Sequence, residues 1–249
     1  MFKLKLPKTA TYTLLTTTLL IFILQIILGN DFTEFFLLVP SDILVRPWIL
    51  ITSMFLHANF THLFFNMYVL LIFGPLIEGR IGMKRFYLMY LCSGIISAIG
   101  YSLISTNPAL GASGAMMGLL GVTIMLMPNL RVLFLFFIPM SLRTAGIIFA
   151  MIDLLGVFNP GSGIAHWAHL FGLGAGLIYG WYLVKQKQKF ENAFNTLKKY
   201  VKDNNINIKV EPRKEKKSSK EVRDADFTYS EQIQLTDEDI DNYLKNGRL

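Results

Sequence analysis

The sequence predicts an all-α, polytopic membrane protein: six membrane-crossing helices followed by a polar C-terminal tail. Three observations carry this. Hydrophobic residues make up 53% of the 249 and charged residues 16%, where a soluble domain carries about a quarter charged, and mean hydropathy is +0.44. Charges almost vanish between the N-terminal lysines and Lys185, then crowd the final quarter. Apolar runs close to the roughly 20 residues needed to cross a bilayer recur along the first part, separated by charge, Gly or Pro.

Taken in order, the runs predict helices near 9–29, 60–77, 84–104, 112–127, 141–158 and 166–184. Lys3, Lys5 and Lys8 ahead of the first run imitate a signal peptide. The run from Thr9 to Leu28 is nevertheless long enough to span, and it ends in Gly29-Asn30-Asp31 rather than a small-x-small cleavage site, so it is expected as a retained helix. The fourth helix is short and starts from Gly111-Ala112-Ser113-Gly114. The apolar stretch Arg131–Pro139 is bracketed by Pro128 and Pro139, which favours an interfacial connector over an extension of the fifth helix. No internal repeat suggests an inverted-repeat transporter.

Positive charge in the short flanks sets the expected orientation. Lys3, Lys5 and Lys8, then Arg80, Lys84 and Arg85, then Arg131 and Arg143, then Lys185, Lys187 and Lys189 fall on one side, while the opposite loops carry only Arg46. The positive-inside rule then puts both termini in the cytoplasm of a multi-pass cell-membrane protein. The net charge of +7 is explained by this topology and by anionic lipid headgroups, with no nucleic acid required. Two parts follow: a membrane domain over 1–185 and a cytoplasmic tail over 186–249. Within the tail, Phe190, Phe194, Leu197 and Val201 repeat at helical spacing among lysines, as in a helix along the inner leaflet. Lys209–Lys220 reads as a basic disordered stretch, and Thr236-Asp237-Glu238-Asp239 as the start of a last short helix. A cytoplasmic partner could use this tail; a solvated tail is the favoured expectation. Cys92 is the single cysteine, which excludes an internal disulfide and a cysteine-based metal site. No cofactor and no metal are expected.

Polar and ionisable groups cost several kcal/mol inside hydrocarbon, so each needs a reason to be there. Three groups stand out: His57, His62 and Asn66 at the start of the second helix, Ser113 at the start of the fourth, and His166 and His169 at the start of the sixth. Under the predicted topology all three helices run from outside to inside. These sequence-distant groups therefore converge on one depth, about 5–10 Å below the outer surface. The residue types suit nucleophilic catalysis. A serine hydroxyl becomes a useful nucleophile when a base takes its proton, and His169, titrating near neutrality, is the natural base. Asn66, His62 one turn away and the Ser113 backbone N–H are donors for an oxyanion. Gly111 and Gly114 allow close approach. Taken singly, each residue has an ordinary structural reading, and for His57 and His166 an interfacial or packing role is favoured. Gly172, Gly174, Gly176 and Gly180 form a small-residue face for close helix packing. Asp153 reads as a helix-end polar residue and Glu78 as a partner for Arg80.

In this order the motifs resemble the rhomboid intramembrane serine proteases: His57-x4-His62-x3-Asn66, Gly111-Ala112-Ser113-Gly114, and Ala168-His169-x2-Gly172-x3-Gly176, with Glu78-Gly79-Arg80 and Arg46-Pro47-Trp48 as further features. The likeness covers most of 9–185. It implies a six-helix rhomboid-like core with a Ser113–His169 dyad and no acidic third member, acting on transmembrane segments of other membrane proteins near the outer leaflet. By motif position, Ser113 is the nucleophile and His169 the general base. His62, Asn66 and the Ser113 amide form the oxyanion site, His57 and Gly111 support it, and Gly172 and Gly176 pack the sixth helix on the fourth. Met117 departs from the family, standing where some relatives place an aromatic residue beside the histidine. The resemblance also implies a side gate involving the fifth helix. Rival expectations are a catalytically silent relative that binds membrane clients, a channel or transporter, and, more weakly, a lipid esterase lacking the second glycine of a G-x-S-x-G elbow.

Overall fold

The computed structural model describes residues 9–134, 137–203 and 242–243. Lys3, Lys5 and Lys8, the basic stretch 209–220 and the acidic segment around Thr236–Asp239 lie outside the described residues. Among the described residues the α-helices are α1 (Ala10–Phe36), the single turn α2 (Ile49–Thr52), α3 (Phe60–Ile81), α4 (Met83–Ser102), α5 (Ser113–Leu126), α6 (Leu142–Gly156) and α7 (His166–Asp203). Six of them answer to the six predicted runs. By length and apolarity alone, α1 and α3 qualify as membrane spans.

Three boundaries differ from the sequence reading. α1 does not stop at Gly29 but kinks there, with φ 74°, and runs on to Phe36; the missing Cβ permits the left-handed backbone that turns the helix without ending it. The connector after α5 is not helical. It is a two-stranded antiparallel hairpin, β1 (Arg131–Phe134) and β2 (Ile138–Ser141), pairing Arg131 with Ser141, so the fold departs from all-α there. Pro128 and Pro139 explain why this apolar stretch does not continue a helix. α7 runs unbroken past 185 to Asp203, and Phe190 on it stacks on Tyr243, ring centroids 4.3 Å apart.

α5 is the axis of the bundle. It carries no charged residue and is buried continuously from Gly114 to Thr123, whereas α1 leaves Leu20, Ile23, Ile26, Ile27 and Leu28 exposed. An apolar strip of that size on the outside suits a helix whose solvent is lipid. Glycines set how closely α7 lies on α5. A Cβ on Gly172 would stand 2.1 Å from the Gly114 carbonyl oxygen, and one on Gly176 would stand 2.0 Å from that of Gly118. From the other side, a Cβ on Gly121 would meet the α7 backbone at 2.7 Å. The two backbones touch over two turns, which only glycine allows.

The α1–α3 pair is tied by charge. Glu78, expected to partner Arg80, directs its carboxylate to the N-terminus of α1, accepting from the Ala10 N–H (2.7 Å), the Thr11 N–H (2.9 Å) and the Thr11 hydroxyl (2.7 Å). A helix N-terminus has unpaired N–H groups and partial positive charge, so a carboxylate from another helix is a stabilising cap.

Candidate active site

The residues singled out from the sequence lie at the N-terminal ends of α3, α5 and α7. At α5, an extended segment leads in. Leu38 and Ala109 exchange backbone hydrogen bonds of 2.9 Å, and the Gly111 N–H donates to the Ser53 carbonyl at 2.9 Å. Gly111 has φ 119°, a conformation that excludes side chains, and a Cβ there would stand 2.5 Å from the His62 ring. Gly111 thus lets the His62 imidazole lie against the loop that presents Ser113. Ser113 is the first residue of α5. Its N–H belongs to the helix end, where amides have no intrahelical acceptor.

On α3, the Asn59 side chain caps the helix by accepting from the His62 N–H at 2.9 Å. Asn66 is buried, and its amide nitrogen donates to the His62 carbonyl at 2.9 Å, leaving a second N–H on the same group. The rings of His57 and His62 meet edge to face, 5.0 Å between centroids. His57 itself, in the loop ahead of α3, is buried, with neither ring nitrogen in hydrogen-bond geometry among the described residues. Burial, then the charge of His62, pushes its pKa down to about 4. His57 is a neutral ring behind His62.

On α7, the Ser97 hydroxyl of α4 donates to the Ala168 carbonyl at 2.6 Å and also sits where a Cβ on Gly114 would fall, at 2.0 Å. That Cβ would lie 3.7 Å from the Ala168 carbonyl. Gly114 and Ala168 thus both border the Ser97 hydroxyl, and each is the chain neighbour of a predicted reacting residue, Ser113 and His169. The Ser113 hydroxyl makes no hydrogen bond among the described residues, an arrangement common before substrate tightens a site. His169 also lies near enough to His62 for their charges to interact, which brings α3, α5 and α7 to one place. Met117 is clustered with Leu120, Leu142 and Leu173.

One expectation is overturned. A carboxylate does join the histidines: Oδ1 of Asp153, from α6, lies 2.9 Å from Nδ1 of His169 and 2.7 Å from Nδ1 of His166. Asp153 is not an idle helix-end residue; it is buried, 5% exposed, and so is His166. The Ser162 hydroxyl completes a chain at 3.1 Å from Nε2 of His166. His166 fits only because Gly156 faces it, since a Cβ there would stand 2.3 Å from the imidazole. The donor atoms of Asp153, His166 and His169 fall within 4.8 Å of one another, close enough to consider a cation. Tetrahedral zinc with ligands at about 2.0–2.1 Å would hold them roughly 3.3 Å apart. Contacts of 2.7 and 2.9 Å suit shared protons better.

Sequence reasoning also missed Gln25. Its side chain, buried in α1, accepts from the His57 N–H at 2.9 Å and donates to the His57 carbonyl at 3.4 Å, pinning the loop that leads into α3. An amide in the middle of an apolar helix was a signal available in the sequence. The loop before α2 is pinned by Arg46, which donates to the carbonyls of Glu34 and Phe35 and to Asp42, and Trp48 stacks on Phe35.

Comparison with known proteins gives one consistent answer. The family model described as the Rhomboid domain matches residues 45–186. YdcA, a rhomboid-named protein of Bacillus subtilis, is 38% identical over 154 residues, covering 57% of this chain and 70% of its own. Rhomboid protein 1, mitochondrial, of Saccharomyces cerevisiae is 30% identical over 192 residues, 74% of this chain and 56% of its own. Rhomboid protease GluP of Bacillus subtilis is 36% identical over 133 residues, 53% of this chain and 25% of its own. The chain therefore spans about half of the yeast relative and a quarter of GluP.

Proposed function

We propose, from the premise that this chain belongs to the rhomboid family and is a membrane protein, that it is an intramembrane serine endopeptidase. It cleaves transmembrane segments of other membrane proteins near the outer leaflet, with Ser113 as nucleophile and His169 as general base. What supports this reading is the close packing of α7 on α5, where a Cβ on Gly172 would stand 2.1 Å from the Gly114 carbonyl oxygen and the Ser97 hydroxyl borders both Gly114 and Ala168, the chain neighbours of Ser113 and His169, with His62 and Asn66 on α3.

In this reading α1 and α3–α7 are six spans, with both termini on the cytoplasmic face of the cell membrane, as the flanking lysines and arginines require. The N-terminal ends of α3, α5 and α7 then face outward, where water reaches a polar pocket. The His169 Nδ1 is engaged by Asp153, so Nε2 is the nitrogen left to take the Ser113 proton. The Ser113 oxygen attacks the scissile carbonyl, and the resulting oxyanion is met by the free Asn66 N–H, the His62 ring and the Ser113 amide. His169 returns its proton to the leaving amine, and water then releases the acyl group by the same route in reverse. The attacked carbonyl must first leave its helix, because helical carbonyls are already bonded. Substrates with Gly, Pro or small residues near the outer end of the span are the class expected.

The test is cleavage of a model transmembrane substrate by the purified full chain in liposomes. Wild type is expected to cleave, and Ser113→Ala and His169→Ala to be inert. Equal cleavage by all three would sink the assignment.

A further inference from the structure

The carboxylate shared by two histidines has no place in a two-residue mechanism. Asp153 is held inside α6, and its Oδ1 is within hydrogen-bond distance of two Nδ1 atoms one turn apart on α7. A carboxylate oxygen has lone pairs for both. An ionised carboxylate can only accept, so both imidazoles donate from Nδ1. The Ser162 hydroxyl fits this: opposite a Nδ1–H histidine, Nε2 of His166 is an acceptor, and the serine donates to it. The tautomer of His169 follows from the same contact, with the proton on Nδ1 and the basic lone pair on Nε2.

We propose that Asp153 is a positioning residue for the serine chemistry, holding His169 in the tautomer and ring orientation that turn Nε2 to Ser113, with His166 as a second donor that holds the carboxylate in place. The proposal rests on the Ser113–His169 reading above. His166 matters because a carboxylate bonded to one histidine can rotate about its own bonds. Bonded to two on a rigid helix, and with His166 wedged against Gly156, it cannot turn without breaking both. Among the titratable groups of the described residues, three lie near His169: Asp153 from α6, His166 from its own helix and His62 from α3. Asp153 is the one anion among them. When His169 becomes an imidazolium in the transition state, Asp153 is the group that stabilises it, and it does so without taking the proton.

The experiment uses a fluorophosphonate on the detergent-solubilised full chain. Ser113 loses its proton to His169, its oxygen bonds phosphorus, the phosphorus–fluorine bond breaks and fluoride leaves. Saturation kinetics separate the limiting rate from the half-saturating concentration. Asp153→Asn is expected to lower the limiting rate by about 10²–10³-fold with the half-saturating concentration changed less than about threefold, because the base is lost and the binding cleft is not. His166→Phe is expected to lower the rate by about 10-fold, since His169 keeps its carboxylate. The chain has four histidines, so selectively ¹⁵N-labelled histidine gives an assignable spectrum. Wild type is expected to show two Nδ1–H protons in strong hydrogen bonds, His166 and His169, and Asp153→Asn to lose both. A limiting rate within threefold of wild type in Asp153→Asn overturns the proposal, as does a wild-type His169 carrying its proton on Nε2. Ser113→Ala guards the underlying reading. If that variant labels at the wild-type rate the serine assignment falls, whereas an unlabelled Ser113→Ala beside a fully active Asp153→Asn removes only the role of Asp153.

Discussion

Adding one methyl group to Gly172 should disable the site from a distance of one helical turn. The new Cβ would stand 2.1 Å from the Gly114 carbonyl oxygen, about 1.2 Å inside the ~3.3 Å at which carbon and oxygen settle in close helix contacts. The obstacle is backbone on both sides, so no side chain can move out of the way and α7 must lift from α5 by about that amount. His169 sits three residues before Gly172, and Ser113 immediately before Gly114, so the displacement opens the gap between base and nucleophile by roughly 1 Å. A misplacement of that size costs on the order of 10²-fold in rate, and overpacking costs about 1–3 kcal/mol of stability. Gly172→Ala should therefore cut cleavage of a transmembrane substrate about 10²-fold and lower the Tm in detergent by several degrees. Gly174 supplies the control. It lies on the same helix two residues on, and a Cβ there meets nothing within 4 Å, so Gly174→Ala should cleave and melt like wild type. A Gly172→Ala protein with unchanged rate and Tm, or a Gly174→Ala protein equally damaged, would refute the close-contact argument.

Three further outcomes follow from the same coordinates. Glu78→Gln replaces a carboxylate that accepts three hydrogen bonds at the N-terminus of α1. It should cost about 1–3 kcal/mol, seen as a lower Tm and earlier proteolysis at the α1 end, while Ser113 labelling at low temperature stays near wild type. His57 has its pKa depressed to about 4 in the folded chain, so between the ordinary 6.5 and 4 the unfolded state binds the extra proton. Its contribution to stability is full above pH 6.5 and is lost as pH falls toward 4. The acid-side fall in Tm over that window should flatten in His57→Phe, which keeps a flat ring and breaks no hydrogen bond seen among the described residues. Gly156→Ala puts a methyl 2.3 Å from the His166 ring and should displace it. The His166 Nδ1–H resonance should shift and stability fall by about 1–3 kcal/mol; an unchanged resonance would contradict the packing.

Much of the candidate site was legible in the sequence because membranes make polar residues conspicuous. Asn66, His62, Ser113 and His169 could be assigned a common depth from helix direction and position along each run, with no knowledge of how the helices pack. That Gly172 and Gly176 serve close packing was likewise readable from spacing alone, since only small residues repeat along that face. Gln25 was legible by the same rule of cost and was passed over because its partner, the His57 backbone, is 32 residues away. The hairpin after α5 was half legible: two prolines excluded a helix, but pairing depends on register between two short stretches.

What the sequence determined by itself is the membrane character and the positions of the apolar helices along the chain. Each of these depends on composition and on position along one chain segment. Only the tertiary structure decided what each polar group touches. Asp153 and His169 are 16 residues apart on different helices, and Glu78 reaches back 68 residues to Ala10. Whether a carboxylate on α6 meets lipid, water or an imidazole depends on the rotation of α6 about its own axis, a single angle that packing against α5 and α7 sets. Residue order does not encode that angle locally, so Ser113 and His169 could be proposed as a pair from the sequence, whereas the carboxylate bonded to His169 could not be foreseen.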